Sequence, residues 1–173
     1  MNAPTLETDR LILRMWREED FEPYARMCAD AEVMKYLGGE TLSRLDAWRQ
    51  MAYLVGHWQM RGYGHFAVEE KGSGRFVGRI GFLNPEGWPG FEIGWALDRS
   101  CWGKGFAIEG ARRALEYAFS ELDQPHVISL IHAENRTSIR VAEKLGERLE
   151  GKSEVMGIEV RVYGIDRPWS SSS

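Results

Sequence analysis

Two glycines flank a lysine in Trp102-Gly103-Lys104-Gly105-Phe106-Ala107, directly before a long helical pattern. A strand feeding a glycine turn feeding a helix offers free backbone N–H groups at a positive dipole end, and glycine lets an anion come close. That is the chemistry of a phosphate cradle. It is not a P-loop, since GxxxxGK[ST] is absent, and not GxGxxG, since Ile108 stands where the third glycine belongs. ATP and NAD are therefore disfavoured. On spacing alone, an anion site and a plain turn both remain open. Other groups able to hold or move a proton are scattered along the chain: Glu92 in an apolar run, Ser138 one helical turn after Asn135, His65, His132, Cys101 and Tyr163. Both histidines read first as strand or surface residues, Cys101 as an adventitious thiol, and Tyr163 as core or pocket lining.

The elements around these residues alternate in type. Arg10–Trp16 reads as a first strand, and Glu18-Glu19-Asp20 opens a helix with acids at its positive end. A helix is expected over Thr41–Met60, capped by Thr41 or Ser43, with Leu42, Leu45, Trp48, Met51, Ala52, Val55 and Gln59 on one face. Strands at His65–Glu70 and Arg75–Leu83 flank the hairpin signal Lys71-Gly72-Ser73-Gly74, and Phe91–Asp98 makes a third. Apolar spacing from Ala107 to Leu122 gives an amphipathic helix stopped before Pro125. Val127–Ile131 is a short buried strand, Asn135–Leu145 a helix ended by Gly146, and Arg148–Val155 with Ile158–Asp166 a last hairpin. Residues 170–173 are expected as a frayed tail. The order implies one α/β (α+β) domain over residues 1–173, without repeat or linker.

Composition excludes several function classes. The chain has 173 residues, 43% apolar and 28% charged, as an ordinary globular domain has. Net charge is −4 with no block of like charge, which argues against nucleic acid and against a polybasic membrane anchor. No apolar run approaches the roughly 20 residues of a bilayer span. The start of the chain lacks the order of a signal peptide. Cys28 and Cys101 form no CxxC pair, so neither a zinc site nor a disulfide framework is expected. Both read as reduced thiols, and the expected compartment is the cytoplasm.

Five ordered stretches together resemble the GNAT acetyltransferases, in particular the RimJ/RimL-like branch. The turn Trp102–Ala107 resembles the family's [Q/R]-x-x-G-x-[G/A] turn, with Gly105 and Ala107 matching and Trp102 standing where Gln or Arg is usual. Glu92-Ile93-Gly94-Trp95 resembles the branch's EIGY strand. Asn135–Ser138 followed by Glu143-Lys144-Leu145-Gly146 resembles its N-x-x-S…EKLG helix. The leading TDRLILR and closing VYGIDRPW fit as well.

The resemblance implies a six- to seven-stranded, largely antiparallel sheet with a V-shaped split between the strands at Phe91–Asp98 and Val127–Ile131. It implies acetyl-CoA as cosubstrate, lying in that split. Backbone groups of Trp95, Ala96 and Leu97 would pair with the pantetheine arm. Amides of Gly103, Lys104, Gly105, Phe106 and Ala107 would hold the pyrophosphate, with Trp102 in the same turn and Lys104 either adding charge or simply solvated. Asn135 would hold a pantetheine amide and Ser138 the sulfur, because Ala142 stands where many members carry an acidic tyrosine. Glu92 would be the general base or a structural glutamate. The implied reaction is direct acetyl transfer to a primary amine, with no covalent enzyme nucleophile and no metal. The acceptor reads as the α-amine of a protein or peptide. An aminoglycoside or polyamine, or a non-catalytic CoA-binding regulatory role, are the alternatives. A homodimer stays open. Tyr24, Met34, Tyr36, Trp48, Trp58, Trp88 and Met156 are candidates for lining the acceptor side or for packing.

Overall fold

The computed structural model describes residues 3–168; the tail expected at 170–173 lies outside them. In chain order the elements are β1 (Leu6–Glu7), β2 (Leu11–Arg14), α1 (Phe21–Cys28), α2 (Ala31–Met34), α3 (Arg44–Arg61), β3 (His65–Glu70), β4 (Phe76–Leu83), β5 (Glu92–Leu97), α4 (Phe106–Ser120), β6 (His126–Ile131), α5 (Arg136–Leu145), β7 (Arg148–Val155) and β8 (Ile158–Asp166). One sheet runs β1-β2-β3-β4-β5-β6-β8-β7. Every neighbouring pair is antiparallel except β5 and β6. The mixed α/β class is as expected, but the sheet has eight strands rather than six or seven. The extra strand is the two-residue β1. Thr8 folds it back onto β2: its hydroxyl accepts from the Leu11 N–H at 2.9 Å, and its own N–H donates to the Leu11 carbonyl at 3.0 Å.

Helices cover both faces. Against one face, α4 lays Ala111, Ala114 and Ala118 over Leu11, Phe66, Ile80 and Ile93. Gly110 allows the closest approach, since a Cβ there would stand 2.5 Å from Ile80 Cδ1. Against the other face, α1, α2 and α3 bury Tyr24, Met27, Met34, Ala47 and Leu54 with Trp16 and Phe76. The acids expected to open a helix form a 3-10 turn, Glu18–Asp20, just before α1. Asp20 is buried rather than solvated, taking both Nη groups of Arg14 at 2.8 and 2.9 Å.

Helix α3 departs most from expectation. Ser43 caps it and the left-handed Gly62 ends it, but Leu45 and Trp48 are 58% and 55% exposed. The buried stripe is Ala47, Leu54, His57 and Trp58. The polar members are affordable there because each is bonded. His57 Nδ1 meets the Tyr63 carbonyl at 2.8 Å and its Nε2 accepts from the Asn84 N–H at 3.1 Å, while the Trp58 indole donates to the His65 carbonyl at 2.9 Å. Among the described residues, no helix is long and apolar enough to cross a membrane.

Strands β5 and β6 touch only at their start. Their single paired position is Glu92 with Ile128, where the Ile128 N–H donates to the Phe91 carbonyl at 2.9 Å. One step on, the Ser129 hydroxyl reaches the Ile93 carbonyl at 3.1 Å and Glu147 Oε1 at 3.0 Å. Beyond that the strands part. Glu147 wedges the junction, 3% exposed, with Oε2 unpartnered.

Burial pushes the Glu147 carboxyl up to about 7, with neighbouring Glu150 and Glu92 adding repulsion against the Ser129 bond. A raised acid favours the folded state while protonated. Its contribution is complete below the ordinary carboxyl range, near 4.5, and is lost as pH rises to about 7. Glu147→Gln keeps the acceptor for Ser129 and removes this loss. Denaturant unfolding at pH 4.5 and pH 8 should show the variant gaining on the wild type at the higher pH, by up to about 3 kcal/mol. An equal difference at both pH values would contradict the assignment.

Candidate active site

The parted strands open a cleft of about 680 Å³, bounded by β5, the loop after it, the start of α4, α2 and α5. Its size suits an extended small molecule. Trp95, Ala96, Leu97, Trp102, Gly103, Gly105, Phe106, Ala107, Asn135 and Ser138 all line it, so these residues expected from sequence come together. Two do not line it. Lys104 is exposed outside the wall, and Glu92 sits earlier on β5.

Strand alternation decides which backbone groups face the cleft. The Phe91 carbonyl points to β6, and direction repeats every second residue, so Ile93, Trp95 and Leu97 face the same way. Ala96 faces β4, where it pairs with Arg79. Of the three backbone positions expected to meet a pantetheine arm, Trp95 and Leu97 therefore offer main-chain groups, and Ala96 offers its methyl. The Leu97 carbonyl is already taken by the Trp102 indole N–H at 2.9 Å. Trp102, the residue that departs from the broad motif, pins the glycine turn to the strand it follows.

Two left-handed glycines shape the turn. Gly103 and Gly105 have φ of +73° and +80°, where a side chain would be strained, and Gly105 is the N-cap of α4. Arg10 was missed in the sequence because it lies far away in β2's lead-in. It bonds Glu109 on the first turns of α4, its guanidinium lies 4.6 Å over the Phe106 ring, and its Nη2 is 3.4 Å from where a Gly105 Cβ would be. The short helix α2, also missed, supplies Val33, and the turn after it Tyr36 and Leu37, as the opposite wall. Tyr36 stacks on His132 at 5.1 Å.

Across the split, Asn135 caps α5 by accepting the Ser138 N–H at 3.2 Å, which leaves its amide N–H groups free to donate. The Trp95 indole N–H reaches over from β5 to Ser138 Oγ at 3.3 Å. A hydroxyl with one lone pair so occupied keeps its proton to give. Ala142, which stands where the resemblance would put a tyrosine acid, is fully buried, and Tyr163 packs with it and Ile131 in the core.

Glu92 is held from outside the cleft. Its Oε2 accepts the Trp88 indole N–H at 2.6 Å. Burial pushes its carboxyl up to about 7, against the lowering effects of Trp88, Arg79 and the Leu130 N–H. That value suits a general base near neutral pH. His65 is wholly buried, and burial holds its pKa well below the ordinary value. Cys101 is buried in the cleft wall with Arg75 Nη2 at 3.2 Å. Of the aromatic and methionine candidates, Tyr24, Met34 and Trp58 are core, Trp48 and Met156 are exposed, Tyr36 lines the cleft and Trp88 holds Glu92.

The chain's relatives agree with this geometry. Residues 10–148 match the Acetyltransferase (GNAT) domain family. The uncharacterized protein YkkB of Bacillus subtilis is 37% identical over 155 residues, 84% of this chain and 87% of that one. The uncharacterized N-acetyltransferase p20 of Bacillus licheniformis is 30% identical over 149 residues, 85% of this chain and 84% of that one. An acetyltransferase from Agrobacterium tumefaciens superposes with TM-score 0.86 at 28% identity, over 95% of both chains. The fold is also shared with RimL, a ribosomal-protein α-N-acetyltransferase in complex with coenzyme A (TM-score 0.78, 18% identity, 94% of this chain and 98% of that one), and with a spermidine N-acetyltransferase from Vibrio cholerae in complex with CoA and spermine (0.75, 20%, 92% and 97%). With the split sheet, the glycine turn and the family match in agreement, the chain belongs to the GNAT acetyltransferases.

Proposed function

We propose that the protein transfers the acetyl group of acetyl-CoA directly to a primary amine, with the α-amine of a protein or peptide as acceptor. The observation that carries this reading is the cleft itself: unpaired β5 backbone at Trp95 leads straight to the glycine turn at α4. Acetyl-CoA supplies an activated thioester. The residues of this chain then have separate tasks. Main-chain groups of Trp95 hold the extended arm as a neighbouring strand would. Amides at Gly103–Ala107 with Arg10 nearby meet the pyrophosphate, and the Asn135 amide donates to a carbonyl of the arm.

The amine must be neutral to attack. An α-amine, with pKa about 7.7–8, needs little help from a base near 7. Glu92 takes its proton. The nitrogen–carbon bond forms, the carbon–sulfur bond breaks, and Ser138 donates a hydrogen bond to the departing thiolate. The proton held by Glu92 passes on to the thiolate, directly or through solvent, to give the thiol. A backbone N–H on the splayed strand, at or near Trp95, stabilises the negative charge on the carbonyl oxygen.

Acetyl-CoA with a panel of peptides, aminoglycosides and polyamines should release thiol in proportion to acetylated amine. Thermal stabilisation by CoA with no turnover of any amine would point instead to a CoA-binding regulatory module. For the residues, kcat/KM should rise with pH through about 7 as Glu92 deprotonates, and Glu92→Gln should remove that limb. Ser138→Ala should lower kcat about ten- to hundredfold, since hydrogen bonds to a charged group contribute about 1.5–3 kcal/mol, with acetyl-CoA affinity changed less than threefold or so. Unaltered pH dependence and kcat would remove both assignments.

A further inference from the structure

On one face of the sheet, Arg14, Ala67, Arg79 and Ala96 form a row across β2, β3, β4 and β5. The next row on this face is His65, Gly81 and Gly94. With no side chain on the two glycines, the His65 imidazole lies over the sheet. A Cβ on Gly94 would stand 3.4 Å from His65 Cε1 and 3.9 Å from Glu92 Oε1. Arg79 Nη1 lies against the same ring, 3.1 Å from Nδ1 and 3.4 Å from Nε2. Glu92 and Arg79 therefore flank one imidazole above a glycine floor, just before β5 enters the cleft.

The two arginines of that row differ in their partners. Arg14 is matched by Asp20 at 2.8 Å and Glu69 at 2.9 Å. Arg79, partly exposed, has no ion-pair partner among the described residues, and its Nε is buried without any bond. Its close neighbours Tyr24, Cys28 and His65 are neutral, and the Glu92 carboxyl, whose pKa its charge lowers, lies across the imidazole without bonding it. Burial pushes the Tyr24 phenol and the Cys28 thiol up and the His65 imidazole down. A partly desolvated guanidinium without a directly bonded counter-ion is unfavourable, and its planar fork fits a carboxylate.

We propose that Arg79 recognises a carboxylate carried by the acceptor within a few bonds of the amine that Glu92 deprotonates. This rests on the acetyl-transfer reading above. An α-amino acid with a hydrogen bond at each end spans about 9 Å, a reach suited to groups on either side of one imidazole. The carboxylate comes either from a free amino acid or from an acidic residue next to a peptide's N-terminus. A polyamine would instead bring further positive charge to an unpaired guanidinium, a repulsive arrangement.

The test is a ratio of kcat/KM values at fixed saturating acetyl-CoA. Free L-amino acids are compared with their amides, and peptides beginning Ser-Asp or Ser-Glu with those beginning Ser-Asn or Ser-Gln; spermidine is the cationic control. One carboxylate series should exceed its amide partners about ten- to hundredfold, mostly through KM, and that series identifies the source. Arg79→Gln should bring the ratio close to one, and Arg79→Lys should leave it intermediate. A residue that merely supported the sheet would lower both members of each pair alike. The wild-type ratio alone is decisive should a variant not fold. A wild-type ratio near one in both series, a ratio that survives Arg79→Gln, or preference for spermidine overturns the proposal. Turnover confined to other amines overturns it while leaving acetyl transfer intact; no turnover of any amine overturns the reading beneath it.

Discussion

A single paired position, Glu92 with Ile128, joins two strands that then separate. The cleft of the molecule depends on that parting. Parallel strands normally continue side by side and satisfy each other's backbone. Here the contact is fixed at its base by the Phe91–Ile128 hydrogen bond and the Ser129 bridge to Ile93, and it goes no further. The unpaired edge of β5 then faces a cleft instead of a neighbour. An open edge inside a domain is a liability unless something occupies it. The molecule covers one carbonyl with the Trp102 indole and leaves the main-chain groups of Trp95 facing the cleft.

Buried charge is concentrated around the same junction. Glu147 sits beneath it and Glu92 at its start, and burial raises both carboxyls to about 7. Arg14 bonds its charge to Asp20 and Glu69, whereas Arg79, two strands along the same row, has no such ion pair among the described residues. Groups of this kind cost stability where they serve only structure.

Much of the scaffold was legible from local chemistry. The last hairpin has the expected bounds, Arg148–Val155 and Ile158–Asp166, because Met156-Gly157 supplies the left-handed turn between alternating strands. Asn135 and Gly146 mark α5 at both ends, and Gly105 marks the start of α4. The glycine turn, Asn135 and Ser138 do share one cleft. What stayed hidden depends on tertiary contacts. The apolar spacing of α3 favoured Leu45 and Trp48, but the helix buries His57 and Trp58 through bonds to distant carbonyls and amides. Helix α2 is a single turn, too short for periodicity to register. The pairing of Arg10 with Glu109 and the isolation of Arg79 join or separate residues far apart in sequence, so no local pattern carries them.

The most direct measurement is a crystal structure with coenzyme A bound. The expected result is an arm lying in the split with its amide paired to the backbone of Trp95, pyrophosphate oxygens on the amides of Gly103–Ala107, and sulfur within hydrogen-bond reach of Ser138 Oγ. Coenzyme A seated outside the split, or β5 and β6 closed together along their length, would contradict it.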